Sequence, residues 1–151
     1  EGDDFCEATA HVPGALIARF VKAVKNKLPE VEIWGDGSQI RDFADVKDFA
    51  RALLDLAPKI ERDIVNVAPS GGTSVKELAL AVSEAAGFRG KVFFNPNRYT
   101  GAKEKFVDAS KLRDKYKLEM SRDLAPGIRR TVKWFAENFD TLKDRRKFAD
   151  A

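Results

Sequence analysis

Three short apolar runs, each ended by glycine or proline, constrain the architecture of this chain more than any other feature. "VEIW" (31–34) is closed by "GDG" (35–37), "DIVNVA" (63–68) is broken by "PSGG", and "KVFFNP" (91–96) ends on its own proline. β-Branched and aromatic runs of this length with turn residues behind them read as strands. Each is separated from the next by a stretch with helical period. In "ALIARFVKAV", after Pro13–Gly14, Leu16, Ile17, Phe20, Val21 and Val24 fall on one face, with Arg19, Lys22 and Lys25 opposite. "IRDFADVKDFARALLDLA" (40–57) passes from a short extended piece into a helix whose period is kept by Val46, Phe49, Ala50, Leu53 and Leu54.

Helix ends are also written in the chain. Thr73 or Ser74 is placed to cap "VKELALAVSEAAG", with Glu77 at capping-box spacing and Gly87 as a C-terminal stop. "NRYTGAKEK" reads as a polar loop, and "FVDASKL" leads into a short turn or helix. The last helix is expected to be capped by Asp123 rather than Ser121. That choice puts Pro126 at the third helical position, where a missing N–H costs nothing. Ile128, Val132, Phe135 and Phe139 then form its core stripe. The expected order is α-β-α-β-α-β-α, an α/β chain with short strands and amphipathic helices.

With 151 residues, 44% hydrophobic and 34% charged, the chain suits one domain that buries roughly 68–70% of its unfolded surface. No window approaches the ~18 apolar residues of a membrane span, and no signal-peptide core opens the chain. A single cysteine, Cys6, allows no internal disulfide and fits a cytoplasmic location. One His and one Cys do not make a protein-only zinc site. The net charge of +3 is small, and the densest basic run, "KDRRK" (143–147), reads as a solvated basic C-terminal tail over 141–151. No basic stripe interleaved with aromatics points to nucleic acid, and no membrane partner is expected.

Three stretches carry a resemblance: "GDDFCEATAHVPGALIARF", "EIWGDGSQIRDFADVKDFARALL" and "NVAPSGGTSVKELALAVSEAAGFRGKVFF". Their order and spacing resemble the C-terminal half of extended short-chain dehydrogenase/reductases, the NAD-dependent sugar epimerase/dehydratase family, most closely its GDP-L-fucose synthase branch. The closing "GIRRTVKWFAENF" is similar to that family's last helix, so the resemblance runs from about residue 2 to residue 140. It implies that residues 1–140 form the nucleotide-sugar-binding (C-terminal) domain. It also implies that NADP or NAD is held by an N-terminal Rossmann domain this chain lacks, along with the helical Tyr-x-x-x-Lys set. Here "SGG" is too short for a dinucleotide-binding turn and no acidic residue follows at the ribose spacing. "YTGAK" (Tyr99 to Lys103) matches Tyr-x-x-x-Lys by letter only, because it lies in a loop that cannot put both side chains on one helical face.

The same resemblance assigns roles. His11 is similar to the family's acid/base residue beside the sugar, a role suited to imidazole, which titrates near neutrality. Cys6 does not match the family's companion cysteine. Arg41 is similar to an arginine contacting the nucleotide diphosphate, where its bidentate fork is useful. Lys105 falls at a substrate-binding lysine, although the family's K-P-D-G-T-P-R-K is "RYTGAKEK" here. Val12, Leu16, Arg19 and Trp34 match positions that wall base and sugar, and for Leu16 and Trp34 core packing accounts for the residue equally well. Gly14, where the family has proline, is expected to loosen the start of the first helix.

The sequence therefore reads as an incomplete, inactive substrate-binding portion of a nucleotide-sugar epimerase/reductase, beginning inside a loop. A module that binds nucleotide sugars or a protein and catalyses nothing is the alternative, favoured by the departures around Lys105. The resemblance further implies that "ADVKDFARALL" and "DIVNVA" pack on the absent Rossmann sheet. Self-association through that uncovered apolar surface is the expected consequence.

Overall fold

A computed structural model describes residues 3–7, 9–98 and 100–145, with side chains of 143–145 excluded. Its elements are α1 (Val12–Lys25), β1 (Glu30–Trp34), β2 (Ile40–Arg41), α2 (Val46–Leu56) and β3 (Thr73–Ser74). These are followed by α3 (Val75–Ala85), β4 (Lys91–Asn95), β5 (Glu104–Lys105), α4 (Ser110–Asp114) and α5 (Ala125–Arg145).

β1 and β4 pair in parallel from Glu30↔Lys91 to Trp34↔Asn95. Val31 and Ile33 point from β1 into the core, as the two-residue period requires. The second sheet is three two-residue strands in the order β3-β2-β5, with β2 antiparallel to β3 and parallel to β5. α1 packs against β1, and α3 and α5 pack against α1 and each other to complete the core. Phe20, Ala79, Val82 and Phe135 are completely or almost completely buried there. Phe5 joins this core from the N-terminal segment, its ring stacked on Phe135 at 4.4 Å. A second cluster, built on Leu56, Leu112, Tyr116 and Met120, lies under the 60–67 segment.

Several local expectations correspond to what is observed. Ser74 and Glu77 form a full capping box on α3, and Gly87 turns the chain beyond it at φ 70°. The Asp123 carboxylate accepts the Ala125 N–H at 3.0 Å, so it caps α5. The helix itself starts at Ala125, which places Pro126 second rather than third. Ile128, Val132 and Phe135 are buried and Phe139 packs beside them.

Other expectations need correction. α1 begins at Val12, with Pro13 and Gly14 inside its first turn, and Gly14 is buried. A Cβ on Gly14 would collide with the Asp4 carbonyl, so this glycine permits a close approach rather than loosening the helix. Val24 is exposed instead of buried. "DIVNVA" forms no ladder. Its residues alternate inward (Asp63, Val65, Val67) and outward (Ile64, Asn66), yet no described strand lies beside them. Alternation sets which side a residue faces, but a strand also needs a neighbour for its N–H and C=O groups. By contrast, α2 turns its apolar stripe outward as the expected uncovered surface requires: Val46 is 72% and Leu54 75% exposed, and only Leu56 is buried. α5 runs on through residue 140 to Arg145, and the rest of the basic tail, like Tyr99, lies outside the described residues.

Asp63 ties the 60–67 segment to α4. Its carboxylate accepts from Lys111 (2.8 Å), Lys115 (2.7 Å) and the Tyr116 hydroxyl (2.7 Å). These hydrogen bonds, Lys111 first, hold the carboxyl well below the usual range. A depressed folded pKa contributes stability above the unfolded value, about 3.9, and that contribution is lost as pH falls below it. Wild type should therefore lose Tm more steeply than Asp63→Asn on acidification below about pH 4. Parallel Tm-versus-pH curves would refute the assignment.

Candidate functional site

α1, β2, the segment leading to α2, β5 and the N-terminal half of α5 surround a groove of about 820 Å³. Ile17, Leu78, Leu124 and Ile128 supply apolar lining from the core side. The exposed side chains of Val46, Phe106 and Val107 form an apolar rim.

His11 reaches the groove because it is the residue before α1. Its backbone is extended (φ −66°, ψ 163°), and its imidazole makes no cap bond to the helix it precedes. The ring is exposed on the lining beside Val12. Arg41 comes from β2 and Lys105 from β5. Their parallel register makes these two residues Cα partners, so pairing two distant two-residue strands puts two cations side by side in one wall.

Arg41 is held before any anion arrives. Its Nη1 donates to the Ile40 carbonyl and its Nη2 to the Ala102 carbonyl, both at 2.7 Å. A guanidinium carries five N–H donors. Two bonds to main chain fix its plane, and three donors are left over.

The far wall depends on Asp45. One carboxylate oxygen accepts the Lys47 N–H and caps α2, while the other pairs with Arg130 of α5. Gly127 makes room for this contact, since a Cβ there would overlap the Asp45 carboxylate. A carboxylate beside the first turn of α5 is also favoured by that helix's dipole.

His11, Val12, Arg41 and Lys105 thus line one groove. Leu16, Arg19 and Trp34 do not. Leu16 is buried in the main core. Arg19 and Trp34 form a separate cluster at the end of β1, where Arg19 pairs with Glu7 and donates to the Glu32 carbonyl. Its guanidinium lies 6.0 Å from the Trp34 ring centroid, and Arg98 sits at 5.4 Å. Trp34 is 50% exposed, which makes it a surface platform rather than a core residue. Sequence reasoning passed over Asp42, Phe106 and Val107 in the groove and Arg98 at the tryptophan. Asp42 follows Arg41 directly and was within reach of a reading of that turn; the others depend on the β2–β5 pairing and on the loop beyond β4.

The Gly71–Gly72 turn does not have the form of a dinucleotide-binding turn. Gly71 and Gly72 have φ of 91° and 63°, but a Cβ on Gly72 would strike Ile40. These glycines let β3 approach β2. They do not open a helix N-terminus toward a pyrophosphate as a dinucleotide-binding turn does. No group of three or more potential metal ligands occurs among the described residues, and none of their helices is long and apolar enough to cross a membrane.

The short-stranded α/β fold resembles part of the fold of solved nucleotide-sugar epimerases and GDP-L-fucose synthetases. A GDP-L-fucose synthetase from Naegleria fowleri bound to NADP superposes with a TM-score of 0.81 at 24% identity, over 92% of this chain and 44% of that one. Residues 4–68 match the NAD dependent epimerase/dehydratase family. In sequence the chain is 35% identical over 143 residues to "Probable GDP-L-fucose synthase 1" of Oryza sativa subsp. japonica, covering 93% of this chain and 43% of the relative. It is 30% identical over 152 residues to the GDP-L-fucose synthase of Escherichia coli (strain K12), covering 93% and 47% respectively. In sequence the chain is thus similar to NAD-dependent epimerase/dehydratases, and over most of its length to part of the GDP-L-fucose synthases. It spans less than half the length of these curated relatives.

Proposed function

We propose that this chain is the substrate-binding portion of an NAD(P)-dependent nucleotide-sugar epimerase/reductase of the GDP-L-fucose synthase kind. The observation carrying this reading is the groove in which His11, Arg41 and Lys105 meet, drawn from three separate segments. In this reading Arg41, with three donors to spare, takes the diphosphate, and Lys105 adds a second cation. His11 then stands beside the sugar as the acid/base. Val12 walls the sugar end, and Arg19 and Trp34, from their cluster outside the groove at the end of β1, serve the base end, while Leu16 contributes from the core. NADP, or NAD, belongs to an N-terminal cofactor domain that covers the exposed stripe of α2. The setting is the cytoplasm, consistent with one unpaired thiol at Cys6.

Titration of the 151-residue chain with GDP, GDP-L-fucose, guanosine and NADPH tests this division of labour. GDP and GDP-L-fucose should bind saturably and guanosine at least about tenfold more weakly, since charge-assisted contacts to phosphate are the strong ones. NADPH should show no saturable micromolar binding. Equal affinity for GDP and guanosine would remove the diphosphate role from the groove. Micromolar NADPH binding would overturn the assignment of the cofactor to another domain.

A further inference from the structure

Lys105 sits on a strap, residues 101–107, that touches β2 at both ends. At its start, Ala102 and Lys103 offer their carbonyls to the Arg41 guanidinium (2.7 Å) and the Ile40 N–H (2.9 Å). In the middle, Glu104 and Lys105 pair with Ile40 and Arg41. At its far end the Val107 N–H donates to Asp42 Oδ2 at 2.7 Å. That bond is the single hydrogen bond of the Asp42 side chain among the described residues, for Oδ1 is buried without a partner.

Just beyond the strap, the Asn66 side chain donates to the Asp108 carbonyl at 3.0 Å. Every residue from Gly101 to Asp108 is exposed, and Gly101, at φ 71°, has open space where a Cβ would lie. Two residues of strand pairing cannot fix a segment of this length on their own. Arg41, the last residue of β2, and Asp42, which follows it, act as clamps before and after Lys105. The first clamp is itself a groove residue. The second is a carboxylate, and its charge opposes an anion in the groove, so any help it gives to anion binding must come from position rather than attraction.

We propose that Asp42 is a positioning residue for Lys105: by accepting the Val107 N–H it holds the strap so that the lysine faces the anion site. This rests on the diphosphate reading of the groove given above. Asparagine retains an oxygen for the Val107 amide and removes the opposing charge. Alanine removes the clamp.

Calorimetric titration of GDP into wild type, Asp42→Ala, Asp42→Asn, Lys105→Ala and the Asp42→Ala/Lys105→Ala pair decides the matter. Asp42→Ala should weaken GDP about fivefold to tenfold, and Asp42→Asn should bind as tightly as wild type or more tightly. In the Lys105→Ala background, Asp42→Ala should cost less than about twofold further, because the residue acts through that lysine. Val107→Pro, which deletes the same N–H without touching Asp42, should reproduce the Asp42→Ala loss and serves if that variant fails to fold. Additive losses in the double variant, or an Asp42→Asn as weak as Asp42→Ala, overturn the proposal while leaving the diphosphate site in place. Failure of wild type to bind GDP at all overturns the diphosphate reading, and this inference with it.

Discussion

On the function proposed above, replacing His11 with asparagine in this chain joined in cis to a cofactor domain should lower kcat for epimerisation by about 10²–10⁴-fold. Nucleotide-sugar affinity should change little. The expectation follows from where the ring stands: exposed on the groove lining, at the entrance to α1, and engaged in no cap bond. Nothing in the helix start requires its side chain, so asparagine should be accepted without disturbing Val12 or Pro13. The amide keeps hydrogen-bonding capacity but cannot transfer a proton to carbon. Arg41→Ala should do the reverse and chiefly raise KM, because its guanidinium serves binding in both ground and transition states. Steady-state kinetics on the two variants separate these roles. A His11→Asn enzyme within a few-fold of the parent kcat would reduce His11 to a surface residue.

The second large effect concerns the chain by itself. Val46, Phe49, Leu53 and Leu54 form an outward stripe on α2, and Ile64 within "DIVNVA" is 88% exposed. Burying one such aliphatic or aromatic side chain is favourable by about 1.5–3 kcal/mol. Four or five on one face exceed what a monomer ordinarily leaves in water. The isolated chain should therefore self-associate through α2, and the double variant Leu53→Lys/Leu54→Glu should shift it to monomer without lowering Tm, since neither residue is in either core. Sedimentation velocity across a concentration series is the measurement. A wild-type chain that stays monomeric and binds no apolar-sensitive dye would show that this face needs no cover. Fusion to a cofactor domain should remove both the association and the dye binding.

The fold was legible where local chemistry is enough. The capping box at Ser74 and Glu77, the carboxylate cap at Asp123, and the alternation of Val31 and Ile33 each need only near neighbours, and each is present. The failures share a cause. "DIVNVA" has the composition and alternation of a strand yet pairs with no strand among the described residues, and the uncovered stripe of α2, expected from the resemblance, has the same origin. An amphipathic pattern records that a face is to be covered. It does not record by what. Gly14 illustrates the same limit at atomic scale: a glycine at a helix start looks permissive until the Asp4 carbonyl is seen against it.

The site divides along that line as well. Sequence alone, through its resemblance, singled out His11, Val12, Leu16, Arg19, Trp34, Arg41 and Lys105, and its periodicity marked most of the apolar stripes of α1 and α5. Tertiary structure decided that His11, Val12, Arg41 and Lys105 share a groove while Arg19 and Trp34 stand elsewhere with Arg98. It also decided that Asp42 clamps the strap carrying Lys105. The reason lies in β2 and β5. Two-residue strands have no periodicity to read, and their parallel pairing joins residues some sixty positions apart. Such contacts depend on how the intervening helices pack, which no local pattern encodes.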